Sequence, residues 1–124
     1  LRGNLKLLGF IKNVETVFSA LDIFILPSRN EGLGTVMLEA IAAKAVVVAS
    51  NVGGISEVVI NQKTGRLINA GDVEEYINAI IELSKNTEMC RSLVKGAQQH
   101  VAGQFNLNNM VVQTLKVYDQ VLQT

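Results

Sequence analysis

A single cysteine, Cys90, rules out an internal disulfide, and the chain has no Cys-x-x-Cys pair or Cys/His cluster with zinc-ligand spacing. Neither charge is in excess: 11 Lys and Arg face 11 Asp and Glu. The basic footprint of a general nucleic-acid or acidic-membrane binder is therefore missing. No aromatic residue is interleaved with basic ones, so no stacking platform for single strands is offered. No apolar run approaches the roughly 18 residues that span a bilayer, and the opening Leu1-Arg2-Gly3-Asn4 lacks the long apolar stretch of a signal peptide. These absences lead to three expectations: a reducing, cytoplasmic setting, no nucleic-acid partner, and no membrane contact from this segment. The first residue is Leu rather than Met, so the chain is expected to be a piece of something longer.

What is present is a globular composition. Of 124 residues, 48% are apolar and 18% charged, enough for a core without staples. Leu5-Lys6-Leu7-Leu8-Gly9-Phe10 reads as a strand ending at Gly9. Val14, Val17, Phe18 and Leu21 form one apolar helix face, with Asn13 placed to cap it. Ile23-Phe24-Ile25-Leu26 is a continuous apolar run stopped by Pro27, the pattern of a strand buried on both faces. Residues 29–34 form a loop, and residues 35–44, free of Gly and Pro, a helix. Ala45-Val46-Val47-Val48-Ala49 is a second buried strand, followed by the loop Asn51-Val52-Gly53-Gly54, a short helix over 55–60 and the strand Arg66-Leu67-Ile68. The last third is helical. Asp72 and Glu75 form a capping-box-like start to a helix whose expected buried stripe is Val73, Tyr76, Ile77, Ile80 and Ile81. Met89, Leu93, Ala97 and Val101 mark the next helix, and Leu107, Val111, Leu115, Tyr118 and Leu122 the last, with Asn108 near its start. Strands alternating with helices imply a parallel sheet of about four strands with right-handed crossovers. Ligands of such sheets bind beyond the carboxyl ends of the strands, so the loops at 9–13, 27–34 and 50–55 come under scrutiny.

The loop at 27–34 is the most informative. It leaves a buried strand, carries a carboxylate, has glycines at 32 and 34, and opens a helix. Backbone N–H groups in a first helical turn lack internal partners, and the helix dipole adds partial positive charge there. Gly32, Leu33, Gly34 and Thr35 are the residues whose amides could meet an anion such as phosphate. An ordinary strand-to-helix turn has the same composition, so spacing alone leaves both readings open. Glu31 precedes the turn and Glu39 follows eight residues later. Both carboxylates can flank one cleft and bind vicinal sugar hydroxyls, or simply complement a helix dipole.

These residues resemble a known family. Phe24-Ile25-Leu26-Pro27-Ser28 followed by Glu31-Gly32-Leu33-Gly34-Thr35-Val36-Met37-Leu38-Glu39-Ala40 is similar to the donor-binding half of family 4 retaining glycosyltransferases, including the Glu-x7-Glu spacing. So are Val52-Gly53-Gly54-Ile55-Ser56-Glu57-Val58-Val59, Thr64-Gly65-Arg66-Leu67-Ile68, Ala70-Gly71-Asp72 and Leu8-Gly9-Phe10 followed by Val14, all in order over residues 5–85. The resemblance implies that residues 1–124 are part of a C-terminal, Rossmann-like nucleotide-sugar-binding domain of a GT-B enzyme, with a helical C-terminal tail. It implies transfer of a hexosyl group from a nucleotide-diphosphate sugar to an acceptor, with retention at the anomeric carbon and no metal or other cofactor. By the same resemblance Glu31 is the catalytic-site residue at the donor sugar, Glu39 meets the ribose, amides around Gly34 and Thr35 meet the distal phosphate, and Phe10 and Ile11 lie near the base.

The sequence also departs from the family. Where the family has a Gly-x-Pro turn after the helix, this chain has Lys44, Ala45 and Val46. The family's opening strands, with their diphosphate-binding Arg and Lys, have no counterpart before Leu1; Arg29 is either a substitute or a solvated surface residue. The acceptor domain is likewise absent, so the isolated chain is expected to be inactive and to need an acceptor domain or partner chain. A non-catalytic nucleotide-sugar-binding or regulatory subunit working with a partner is the alternative. Without the strands between 5–9 and 23–26, either these two pair directly or the open sheet edge makes a homodimer. Elsewhere, Ser28 has no partner base because His100 lies far along the chain, Cys90 is a small helix residue, Gly53-Gly54 either touches donor or is a plain turn, and Glu57 either lines the cleft or starts a helix.

Overall fold

A computed structural model describes residues 3–123. Its elements run α1 (Glu15–Phe18), β1 (Ile23–Leu26), α2 (Val36–Ala42), β2 (Val46–Ser50), α3 (Ile55–Val58), β3 (Arg66–Ile68), α4 (Val73–Lys85), α5 (Thr87–Gln104) and α6 (Leu107–Leu122). The strands form one parallel sheet in the order β1-β2-β3. Ile23 sits opposite Val46 and Leu26 opposite Ala49, and on the other side Val48 opposes Arg66 and Ser50 opposes Ile68. The α/β class and the parallel sheet follow the sequence expectation, with three strands among the described residues in place of about four.

β2 lies at the centre and is buried along its whole length. Its alternating side chains feed two cores, as the two-residue period of a strand dictates. Val47 and Ala49 join Phe18, Met37, Ala40, Ile41, Ile55, Val58 and Val59 on one face. Val46 and Val48 join Ile68, Tyr76, Ala79 and Leu83 on the other. α5 closes both, giving Ala97 to the first cluster and Leu93 to the second.

Several expectations are corrected. Residues 5–10 form no strand, and they do not pair with 23–26: Leu7 is 92% and Phe10 96% exposed. A strand needs a hydrogen-bonding neighbour, and the described residues offer none beyond β1. For the same reason β1 is only partly buried, with Ile25 exposed, because it is the sheet edge. Asn13 does not cap α1; Val14 occupies that position without a side-chain bond. On α4 the buried residues are Tyr76, Ala79 and Leu83, while Val73, Ile77 and Ile81 are exposed. At 3.6 residues per turn those three centre about a third of a turn around the helix from the face on the sheet. α6 buries none of its side chains; Leu107, Val111, Leu115, Tyr118 and Leu122 are all exposed. Its cap is Asn106, whose side chain accepts from the Asn109 N–H, rather than Asn108. Asp72 caps α4 as expected, accepting from the Glu75 N–H.

Candidate functional site

β1 delivers the chain to Pro27, which cannot donate to a ladder and ends the strand. The loop then folds back to open α2. Gly34 takes φ +66°, and a Cβ there would stand 3.0 Å from Met37 Cε and 3.3 Å from Glu31 Cγ. The tight, left-handed turn therefore requires glycine. Met37 N–H donates to Gly34 O and Leu38 N–H to Thr35 O, each at 2.9 Å. Among the described residues no protein atom accepts from the amides of Gly34, Thr35 or Val36, and Thr35 makes no side-chain cap. Three donors of one turn thus lack an internal partner; Thr35 is exposed, Val36 half-buried and Gly34 buried.

The two carboxylates differ in surroundings. Glu31 is half-buried, and Ser28 Oγ donates to its Oε2 at 3.1 Å. Ser28 is a residue whose part in the site its sequence context did not reveal: it serves the carboxylate three residues on rather than a histidine. Glu39 is exposed in the first turn of α2 and lines an open hollow of about 570 Å3 with Lys12, Asn13, Val14 and Glu15. That hollow places the stretch following Phe10 and Ile11 beside the opening of α2. Phe10 is exposed and Ile11 half-buried; Gly32 is exposed, and Leu33 packs on the core. Arg29 and Glu57 are exposed, and His100 lies elsewhere, its Nε2 2.8 Å from the Glu57 carbonyl.

The loop after β2 supports the one after β1. Gly53 takes φ +54°, and a Cβ on it would fall 1.8 Å from the Glu31 carbonyl oxygen. Gly54 N–H donates to Gly32 O at 2.7 Å. The Gly54 amide is thus spent on Gly32, and the glycine pair is the floor on which residues 31–32 rest, with Gly53 itself exposed. Beneath both loops lies Tyr76 of α4. Its hydroxyl is 3.0 Å from Ser50 Oγ, at the end of β2, and donates to Leu26 O, at the end of β1, at 3.3 Å. Burial pushes the Tyr76 phenol above its ordinary 10.0, with the Ser50 hydrogen bond acting against the rise and the Glu75 charge adding to it. Sequence periodicity marked Tyr76 only as an apolar stripe residue, because the hydroxyl's partners lie 26 and 50 residues away.

A cavity of about 680 Å3 lies at the opposite end of the sheet, where Asp22, Ile23, Lys44 and Val46 start the strands and Cys90, Arg91 and Lys95 of α5 close over them. Parallel sheets present helix N-termini at the carboxyl ends of the strands, so anion chemistry belongs at the 27–35 loop. Cys90 donates to the Leu83 carbonyl at 3.2 Å, and burial, with Asp22 adding, pushes its thiol above the ordinary range. No group of three or more His, Cys, Asp or Glu among the described residues could hold a metal, and no helix among them is long and apolar enough to cross a membrane.

Comparison with known proteins bears on this arrangement. The family model described as "Glycosyl transferases group 1" matches residues 1–100. The chain is 30% identical over 122 residues to the lipopolysaccharide core biosynthesis mannosyltransferase LpcC of Rhizobium leguminosarum bv. viciae, covering 98% of this chain and 35% of that protein. It is 35% identical over 114 residues to the alpha-maltose-1-phosphate synthase of Mycolicibacterium smegmatis, covering 87% of this chain and 30% of that one. The chain thus spans about a third of the length of these relatives. Among solved structures, Anabaena Alr3699/HepE in complex with UDP superposes with a TM-score of 0.85 at 27% identity, over 94% of this chain and 33% of that one. Sucrose-phosphate synthase from Thermosynechococcus elongatus gives 0.83 at 29%, over 98% and 31%.

Proposed function

Because the chain belongs to the group 1 glycosyl transferases, we propose that it supplies the donor-binding part of an enzyme moving a hexosyl group from a nucleotide-diphosphate sugar to an acceptor, with retention at the anomeric carbon as in the family 4 enzymes its motifs resemble. The observation that carries this reading is the run of unpartnered amides at Gly34, Thr35 and Val36, set at the carboxyl end of β1 between half-buried Glu31 and exposed Glu39. Alr3699/HepE, to which the chain is similar, has also been solved with UDP-glucose.

Each part has a chemical task in this reading. Breaking the bond between the sugar and the diphosphate leaves growing negative charge on the phosphate oxygen. Preorganised amides at Gly34 and Thr35 meet that charge without reorganising, which lowers the barrier. Glu31, steadied by Ser28, receives the donor-sugar hydroxyls. Glu39, beside the 12–15 stretch, accepts from the ribose hydroxyls. Phe10, almost wholly exposed, offers a ring face to the base, and half-buried Ile11 follows it in the chain. Residues 1–124 are in this reading a partial C-terminal domain that needs an acceptor domain or partner chain. What supports it is the share of the relatives that the chain spans, together with the exposed apolar residues at 5–10 and on α6. In the isolated chain the open β1 edge pairs with a second copy.

Titration of the chain with uridine, guanosine and adenosine diphosphate hexoses, followed by amide NMR, tests the reading. One of them shifts the amides of Gly34 and Thr35, and Glu39→Ala weakens its binding by about 1.5–3 kcal/mol, the worth of a charged hydrogen bond. Unchanged affinity in that variant removes Glu39 from the ribose role, and no response at Gly34 to any of the donors refutes the site.

A further inference from the structure

We propose that Tyr76 is a positioning residue: its hydroxyl joins the carboxyl ends of β1 and β2 and thereby sets the height at which the 27–35 and 51–54 loops meet. The geometry has two levels. At the lower level the Tyr76 hydroxyl bridges Ser50 Oγ at 3.0 Å and Leu26 O at 3.3 Å. These are the last residues of β2 and β1, immediately before the two loops. The sheet ladder itself pairs Leu26 with Ala49, one residue short of Ser50. The tyrosine bridge therefore extends the connection between the strands past the last paired residues. At the upper level Gly54 N–H donates to Gly32 O at 2.7 Å, and the missing Cβ of Gly53 lets the Glu31 carbonyl come close. Between the levels run only the residues 27–31 and 51–53.

Two facts argue against a merely space-filling ring. The hydroxyl end of Tyr76 reaches the only fully buried polar side chain at a strand terminus among the described residues, Ser50. A buried hydroxyl without a partner is costly, so Ser50 and Tyr76 depend on each other. Glu31 is tied to the lower level as well, because Ser28 sits two residues beyond Leu26 and holds its carboxylate. A shift of Leu26 is therefore passed to Ser28 and to Glu31. The consequence for ligand binding rests on the donor-site reading above; the consequence for loop geometry does not.

The test compares wild type, Tyr76→Phe and Ser50→Ala. Hydrogen exchange at the Gly54 amide reports the contact between the loops in the absence of any ligand. Tyr76→Phe keeps the ring in the core and speeds Gly54 exchange by roughly 3- to 10-fold, the loss expected for one hydrogen bond. Exchange at Val47 and Val48 in the centre of β2 stays as in wild type. Ser50→Ala reproduces the change, and the double variant adds little to either single one, because both remove the same bridge. The best-binding nucleotide-diphosphate hexose loses affinity by a similar factor in Tyr76→Phe. Gly54 exchange unchanged in Tyr76→Phe, or raised together with Val47 and Val48, overturns the proposal, the second outcome showing general destabilisation. A wild-type chain that binds no donor, while Gly54 still responds to Tyr76→Phe, sinks the donor reading and upholds the bridge.

Discussion

Lys44 holds φ +67° at the end of α2, a conformation that costs a residue with a Cβ about 1–2 kcal/mol. The position cannot relax, because Lys44 N–H bonds Ile41 O and Ala45 N–H bonds Ala40 O, the paired bonds of a glycine-type helix end. Lys44→Gly is therefore expected to stabilise the chain by roughly 1 kcal/mol, the relief of strain less the added freedom of the unfolded glycine; urea unfolding measures it. The missing glycine was visible in the sequence, while the strained backbone that replaces it is seen only in the fold. Tyr76 behaves in the opposite way: its packing was legible and its hydrogen bonds were not. Its phenol is raised above 10.0 in the folded chain. The stability tied to keeping it neutral is therefore complete below pH 10.0 and is lost as the pH rises through the folded value. The stability gap between wild type and Tyr76→Phe accordingly narrows in unfolding experiments run at pH 10 to 11 compared with pH 8.

At the scale of the elements, helix α5 does the joining. Gly96 lets its backbone approach the turn before β3 so closely that an added Cβ would lie 2.4 Å from the Lys63 carbonyl oxygen. That turn is itself held by Thr64, whose Oγ1 accepts from Ile60 N–H at 2.7 Å, and by Asn61, whose Oδ1 accepts from Leu67 N–H at 3.1 Å. Alanine at 96 gains about 1 kcal/mol of helix propensity and loses more, because backbone must move; Gly96→Ala is expected to destabilise by about 1–2 kcal/mol net, read from the urea midpoint. Helix positions were legible here because caps and apolar periods are local: Asp72 begins α4 with the bond its spacing implied. Which face of α4 lies inward was not, since Val73, Ile77 and Ile81 continue the apolar stripe past the edge of the sheet. Only the placement of β2 and β3 separates the covered part from the bare one.

For the whole molecule, the distribution of apolar surface is uneven. β2 is sealed on both faces, while β1 is an edge and α6 buries no side chain. If the β1 edge pairs copies, light scattering gives twice the chain mass, and Ile25→Lys on that edge lowers it to one; a wild-type chain that scatters as a monomer at high concentration removes the dimer. From β1 onward the order of strands and helices, the two strand-end loops and the acidic pair around a glycine turn were determined by the sequence alone. They depend on residues within a few positions of one another, where period, caps and glycine act. The fate of 5–10 was decided elsewhere, because a segment with a strand pattern becomes a strand only when a neighbour presents its edge. The support of Glu31 by Gly53, Gly54 and Tyr76 was likewise decided by the tertiary structure. Residues 22 to 50 positions apart meet there only because parallel crossovers bring the ends of β1 and β2 side by side.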